Sequence, residues 1–133
     1  MNETLKTLKE RRSCRKYSDR QVGAEALDAI LEAGTYAPTG MNRQAPVIVA
    51  VQDKQTRDKI AKLNAAVMGS DADPFYGAPT VLVVLANPEI RTYVYDGALV
   101  MGNLMNAAHA VGVDSCYIFR AKEVFATEEG KEM

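Results

Sequence analysis

Tryptophan is absent from this chain, histidine occurs once (His109) and cysteine twice (Cys14 and Cys116). With a single histidine, neither a histidine-based catalytic triad nor a histidine metal site is expected. Two cysteines cannot build a disulfide framework, and their separation is not that of metal ligands. No stretch approaches the ~18 consecutive apolar residues of a membrane span. The opening Met1-Asn2-Glu3-Thr4 has no apolar segment of the kind a secretory signal carries. A reducing cytoplasm is the expected setting. Charge of one sign is also lacking: the formal net charge is −1, so no global field draws the chain to nucleic acid or a membrane surface.

What is there is ordinary in bulk. The 133 residues fit one domain, 1–133, and 47% hydrophobic with 25% charged residues is the balance of a soluble globular protein. Apolar residues at helical spacing predict helices near 2–12 (Leu5, Leu8), 23–34 (Leu27, Ile30, Leu31, with Gly34 as C-cap), 55–68 (Ile60, Leu63, Val67) and 93–111 (Leu99, Val100, Leu104, Met105, with Gly112 as stop). The β-branched run 47–51 and the run 80–86 predict strands, and 114–118 a third. Residues 121–133 are polar and helical at most. Helices first, then strands separated by helices, give an α+β or α/β layered domain. Three strands leave an unprotected edge, which a partner chain or further residues would complete.

Two segments stand out. Arg11-Arg12-Ser13-Cys14-Arg15-Lys16-Tyr17 crowds four cations around one hydroxyl. Guanidinium groups offer a planar fork of donors, and Arg11, Ser13 and Arg15 would share one side of an extended backbone, an arrangement suited to a phosphate monoester. A solvated helix end would have the same composition. The second segment is Ala37-Pro38-Thr39-Gly40-Met41-Asn42-Arg43-Gln44. Pro38 fixes the backbone, Gly40 admits close approach of a ligand, and Asn42 and Gln44 supply paired donors and acceptors that match a flavin pyrimidine edge. A generic helix-to-strand loop is the alternative.

In combination these segments resemble the FMN-dependent nitroreductase family. Arg11, Ser13, Arg15 and Tyr17 stand where that family has Arg-x-Ser-x-Arg-x-aromatic. Ala37, Pro38, Thr39, Asn42, Gln44 and Pro46 follow its Ala-Pro-Ser-x-x-Asn-x-Gln-Pro, with proline one place late. Tyr76-Gly77-Ala78-Pro79 and Gly112-Val113-Asp114-Ser115-Cys116-Tyr117-Ile118 also look familial. The resemblance implies a three-layer α+β fold, a mixed and mainly antiparallel sheet flanked by helices, and a homodimer with FMN at the subunit interface. It implies that Arg11 and Ser13, beside Arg12, hold the phosphate, and that Arg15 lies by the flavin N1 and O2. Pro38, Thr39, Gly40, Asn42 and Gln44 would reach the ring from the partner, and Phe119-Arg120 would lie near N5. The implied cycle takes two electrons from NADH or NADPH and delivers them by ping-pong turnover to a nitroaromatic or quinone-like small molecule. The flavin carries the chemistry, so no catalytic side chain and no metal is called for.

Family members run further than this chain, through another strand and a basic tail. The sequence therefore reads as a C-terminally short domain, and two alternatives stay open: a flavin-binding module with little turnover, or a degenerate dimerisation scaffold. Cys14, Cys116, His109, Tyr93, Tyr95, Met101 and Met105 read as packing or surface positions. Binding of nucleic acid through the arginines is not expected, because no aromatics interleave with them.

Overall fold

The computed structural model describes residues 1–133. Its α+β chain folds into two compact units: one comprises Met1–Cys14, Val22–Val49 and Val84–Cys116, and the other Arg15–Gln21, Ala50–Val83 and Tyr117–Met133. The six helices are α1 (Glu3–Glu10), α2 (Ala24–Thr35), α3 (Lys54–Met68), α4 (Tyr93–Ala110), α5 (Ala121–Ala126) and α6 (Glu128–Lys131). Strands β1 (Val47–Val51) and β2 (Val81–Leu85) form a two-stranded antiparallel sheet. The first three residues of β1 and the last two of β2 belong to the first unit, and the remainder to the second.

In the first unit, α2 packs on α4. Ile30 of α2 and Val100, Leu104 and Ala108 of α4 are buried, at the i, i+4, i+8 spacing that marks one helix face. Gly34 is not the C-cap its sequence position suggests. It lies inside the last turn of α2, which ends at Thr35, with Tyr36 as cap. A Cβ on Gly34 would stand 2.6 Å from Leu104 Cδ2 and 2.7 Å from Ile48 Cδ1, so this glycine serves close approach rather than termination. α1 is capped by Asn2, whose side-chain oxygen accepts from the Leu5 N–H at 3.0 Å.

In the second unit, Val51, Ile60, Ala61 and Phe75 form the core, with Val81 and Ile118 against it. Asp53 caps α3 by accepting from the Thr56 N–H at 2.9 Å. A bond from the Thr56 hydroxyl first, and that N–H bond second, hold its carboxyl below the usual range. Gly69 ends α3 in the left-handed conformation (φ 69°), and its N–H reaches the Ala65 and Ala66 carbonyls. Arg57 is buried in α3: Nε donates to the Ala78 carbonyl at 2.8 Å, Nη2 pairs with Asp73, and the guanidinium lies 5.3 Å from the Phe75 ring centre. The Gln52 side-chain amide, just past β1, donates to the Thr80 hydroxyl, just before β2, at 3.1 Å, so the end of β1 lies beside the start of β2 as in an antiparallel pair. Gln21 ties the same ends together through the Gln52 and Pro79 carbonyls.

The expected third strand over 114–118 does not form. Ser115 forms an isolated parallel bridge with Ser13. No helix is long and apolar enough to cross a membrane.

Candidate functional site

The arginine segment begins where α1 ends. Arg11 is the C-cap of α1, with an extended ψ of 135°, and its N–H donates to the Thr7 carbonyl. Its Nη1 is shielded from water and has no hydrogen-bond partner in the chain. A buried cationic donor left unmade is costly, and such groups normally find an acceptor. Arg12 turns back instead: its Nη1 donates to the Lys9 carbonyl at 2.7 Å and the Arg11 carbonyl at 2.8 Å, closing the C-terminus of α1. Ser13 is exposed, in the bridge to Ser115, and the next N–H, of Cys14, donates to the Ser115 carbonyl at 3.0 Å. Arg15 is exposed and opens the second unit.

The loop after α2 belongs wholly to the first unit. Ala37 is buried, Pro38 exposed and Thr39 half-buried. Gly40–Asn42 is a 3-10 turn, and Met41, Asn42 and Gln44 all have positive φ, between 54° and 55°. Non-glycine residues rarely sit there, and three within four positions demand support. Thr39 gives part of it: its hydroxyl accepts from the Gln44 N–H at 2.9 Å, and its carbonyl accepts from the Asn42 N–H at 3.0 Å. Gln44 Nε2 donates to Asn42 Oδ1 at 2.9 Å, so the two amides are held as one exposed donor–acceptor surface. Behind the loop a cavity of about 380 Å³ is lined by Thr39, Gln44 and Pro46 with apolar residues of α2, β1 and α4. Gly40 has a structural reason of its own: a Cβ there would overlap the Thr92 side chain.

The structure thus gathers Thr39, Gly40, Asn42 and Gln44 into one braced turn, and sets Arg11, Arg12 and Ser13 consecutively at the end of α1. No hydrogen bond or ion pair joins these two groups. Arg120 and Phe119 lie in the second unit. Arg120 Nε donates to the buried Asn64 at 2.9 Å, and Phe119 is exposed. One residue escaped the sequence reading: Asp96, buried on α4, accepts from the Gly40 N–H at 3.0 Å. Its signal was present, because it is the only acid in the eighteen residues of α4.

Residues 8–74 match the model of the nitroreductase family. A protein of Archaeoglobus fulgidus, provisionally described as an NADH dehydrogenase/NAD(P)H nitroreductase, is 32% identical over 123 residues, covering 89% of this chain and 68% of that protein. An FMN reductase [NAD(P)H] of Bacillus subtilis is 40% identical over 76 residues, which are 57% of this chain but 30% of the relative. Among solved structures, a nitroreductase with bound FMN from Bacteroides fragilis superposes with a TM-score of 0.91 at 31% identity, over 99% of this chain and 78% of that one. The α+β arrangement is therefore the nitroreductase fold. The chain belongs to the nitroreductase family, and it spans under a third of the Bacillus relative and about two thirds of the archaeal one.

Flavin mononucleotide is the group such a family implies, and the residues present fit it. The partnerless Arg11 Nη1 is a shielded cationic donor that a phosphate would satisfy. The Asn42–Gln44 pair offers amides of the kind a pyrimidine edge bonds.

Proposed function

We propose that this chain is the FMN-holding part of an NAD(P)H-dependent oxidoreductase that reduces nitroaromatic or quinone-like acceptors by a two-electron ping-pong cycle. The observation that carries the reading is the Arg11 guanidinium nitrogen, out of water and without an acceptor. Bound FMN would supply the hydride chemistry. Arg11 and Ser13 would hold its phosphate, with Arg12 fixing the backbone between them through the end of α1. Arg15, taken from its place in the Arg-x-Ser-x-Arg motif, would set a positive charge where negative charge develops on the ring. Pro38, Thr39, Gly40, Asn42 and Gln44 of a second copy would close over the ring. A homodimer is supported by large apolar side chains left in water in the first unit, Tyr36, Met41, Val94, Tyr95 and Leu99 among them. A cytoplasmic setting, where NADH and NADPH are available, belongs to the same reading.

The test begins with freshly purified protein, whose absorbance near about 450 nm reports oxidised flavin. Bleaching by NADH or NADPH and recovery with a quinone are expected. Adding FMN at 100 times its Kd should stabilise the fold by about 2.7 kcal/mol. Arg11→Ala with Arg15→Ala should abolish flavin retention while the chain stays folded. A double variant that keeps its full complement of flavin would refute the site. Yellow protein that neither nucleotide bleaches would leave a binding module in place of an enzyme.

A further inference from the structure

We infer that Asp96 is the positioning residue for the ring-facing loop; this rests on the flavin reading above and adds a part to it. Asp96 is 3% exposed and lies in the first turn of α4. Both of its carboxylate oxygens are used. Oδ1 accepts from the Gly40 N–H at 3.0 Å, and Oδ2 accepts from the Thr92 hydroxyl at 2.8 Å. Thr92 in turn faces Gly40 so closely that no side chain fits between them. Loop, threonine and carboxylate therefore form one three-point clamp within the first unit.

The clamp has a task that the loop cannot perform alone. Three non-glycine residues in left-handed conformations follow Gly40 within four positions. Most chains at such positions would relax to commoner backbone angles unless bonds elsewhere over-determine them. The bonds inside the loop, Asn42 N–H to Thr39 and Gln44 N–H to the Thr39 hydroxyl, only close it on itself. The Gly40–Asp96 bond anchors it to α4, whose Val100, Leu104 and Ala108 are buried. Asp96 thus transfers the order of a packed helix to the Asn42–Gln44 amide pair, although it touches no ligand itself.

The test uses the full chain as Asp96→Ala, Asp96→Asn and Thr92→Val. In ligand-free protein, amide hydrogen exchange at residues 40–44 should rise at least about tenfold in Asp96→Ala while the amides of α2 and α4 keep their protection. The Kd for FMN, read by flavin fluorescence, should rise at least about tenfold, with a changed visible circular dichroism of the bound ring. Asp96→Asn retains an oxygen for Gly40 and can donate its amide to the Thr92 oxygen, so it should stay within about threefold of wild type in both measurements. Thr92→Val keeps the shape and removes one bond, and should fall between them; it also serves if Asp96→Ala does not fold. Unchanged exchange at 40–44 in both Asp96→Ala and Thr92→Val overturns the clamp. So does an Asn variant as damaged as the Ala variant. If wild type takes up no FMN, the flavin reading fails, while the exchange data still decide the clamp.

Discussion

Gly34→Ala tests the closest approach in the first unit. The added methyl would lie 2.6 Å from Leu104 Cδ2, 2.7 Å from Ile48 Cδ1 and 3.2 Å from Leu104 Cγ. Ordinary carbon–carbon contact begins at ~3.5 Å, so roughly 0.8–0.9 Å must be found at two places. Leu104 is 3% exposed and cannot swing into water. Overpacking of this kind costs about 1–3 kcal/mol. Alanine in a helix interior returns up to about 1 kcal/mol, and less at Gly34 because α2 ends one residue later. The net expectation is a destabilisation of about 1–2 kcal/mol, visible as a fall of about 0.5–1 M in the urea midpoint followed by circular dichroism. Leu104→Ala alone should cost about 2–5 kcal/mol. Combined with Gly34→Ala it should cost less than the sum by about 1–2 kcal/mol, because the new methyl occupies part of the vacated space. A Gly34→Ala protein as stable as wild type, with additive costs in the double variant, would refute the argument that α2 and α4 need a glycine where they meet.

Three further expectations concern the second unit. Arg57→Met keeps the bulk of the side chain but takes the guanidinium donors from the Ala78 carbonyl and from Asp73, and should lower thermal stability by about 2–4 kcal/mol in calorimetry. Burial raises the carboxyl of Asp73, but bonds from Arg57 and from the Phe75 and Gly77 N–H groups outweigh it and hold the group below its ordinary 3.8. A depressed folded value stabilises above the unfolded one, so this contribution is complete above the usual carboxylate range and is lost as pH falls through the folded value. An acid titration of wild type should therefore show a loss of stability that Asp73→Asn lacks. Gly69→Ala must place a Cβ at φ 69°, in open space, so its cost is conformational alone, about 1 kcal/mol by urea unfolding.

Regular elements were legible in the sequence where a local rule suffices. The period of Leu27, Ile30 and Leu31, and of Ile60, Leu63 and Val67, locates α2 and α3 to within a residue, and the β-branched run from Val47 to Val51 is β1 as read. The failures share one cause, a distant partner. The residues 114–118 have strand composition, yet strand formation depends on what lies alongside, and Ser115 forms an isolated bridge with Ser13. Gly34 looks like a helix stop because glycine often is one, and only the Leu104 and Ile48 side chains explain its place inside the turn. Arg57 falls among the charged residues of a polar helix, and nothing local marks it as the one whose charge is buried against Asp73 and Phe75.

The site shows the same division at finer scale. Residue types at Arg11, Ser13, Thr39, Asn42 and Gln44 announce hydrogen-bond donors of the kind the proposed ligand needs, because composition alone fixes what a side chain can bond. Conformation is another matter. Asn42 and Gln44 have ordinary side chains on a left-handed backbone that glutamine in particular seldom adopts, and the bond that anchors that backbone to α4 comes from an acid 56 positions beyond Gly40. A loop can therefore carry the right chemistry in its sequence and still depend for its geometry on a buried carboxylate that no local pattern connects to it. Removing the amides should erase binding chemistry, whereas removing Asp96 should leave the chemistry in place and disorder it, and these two losses separate in hydrogen exchange before any ligand is added.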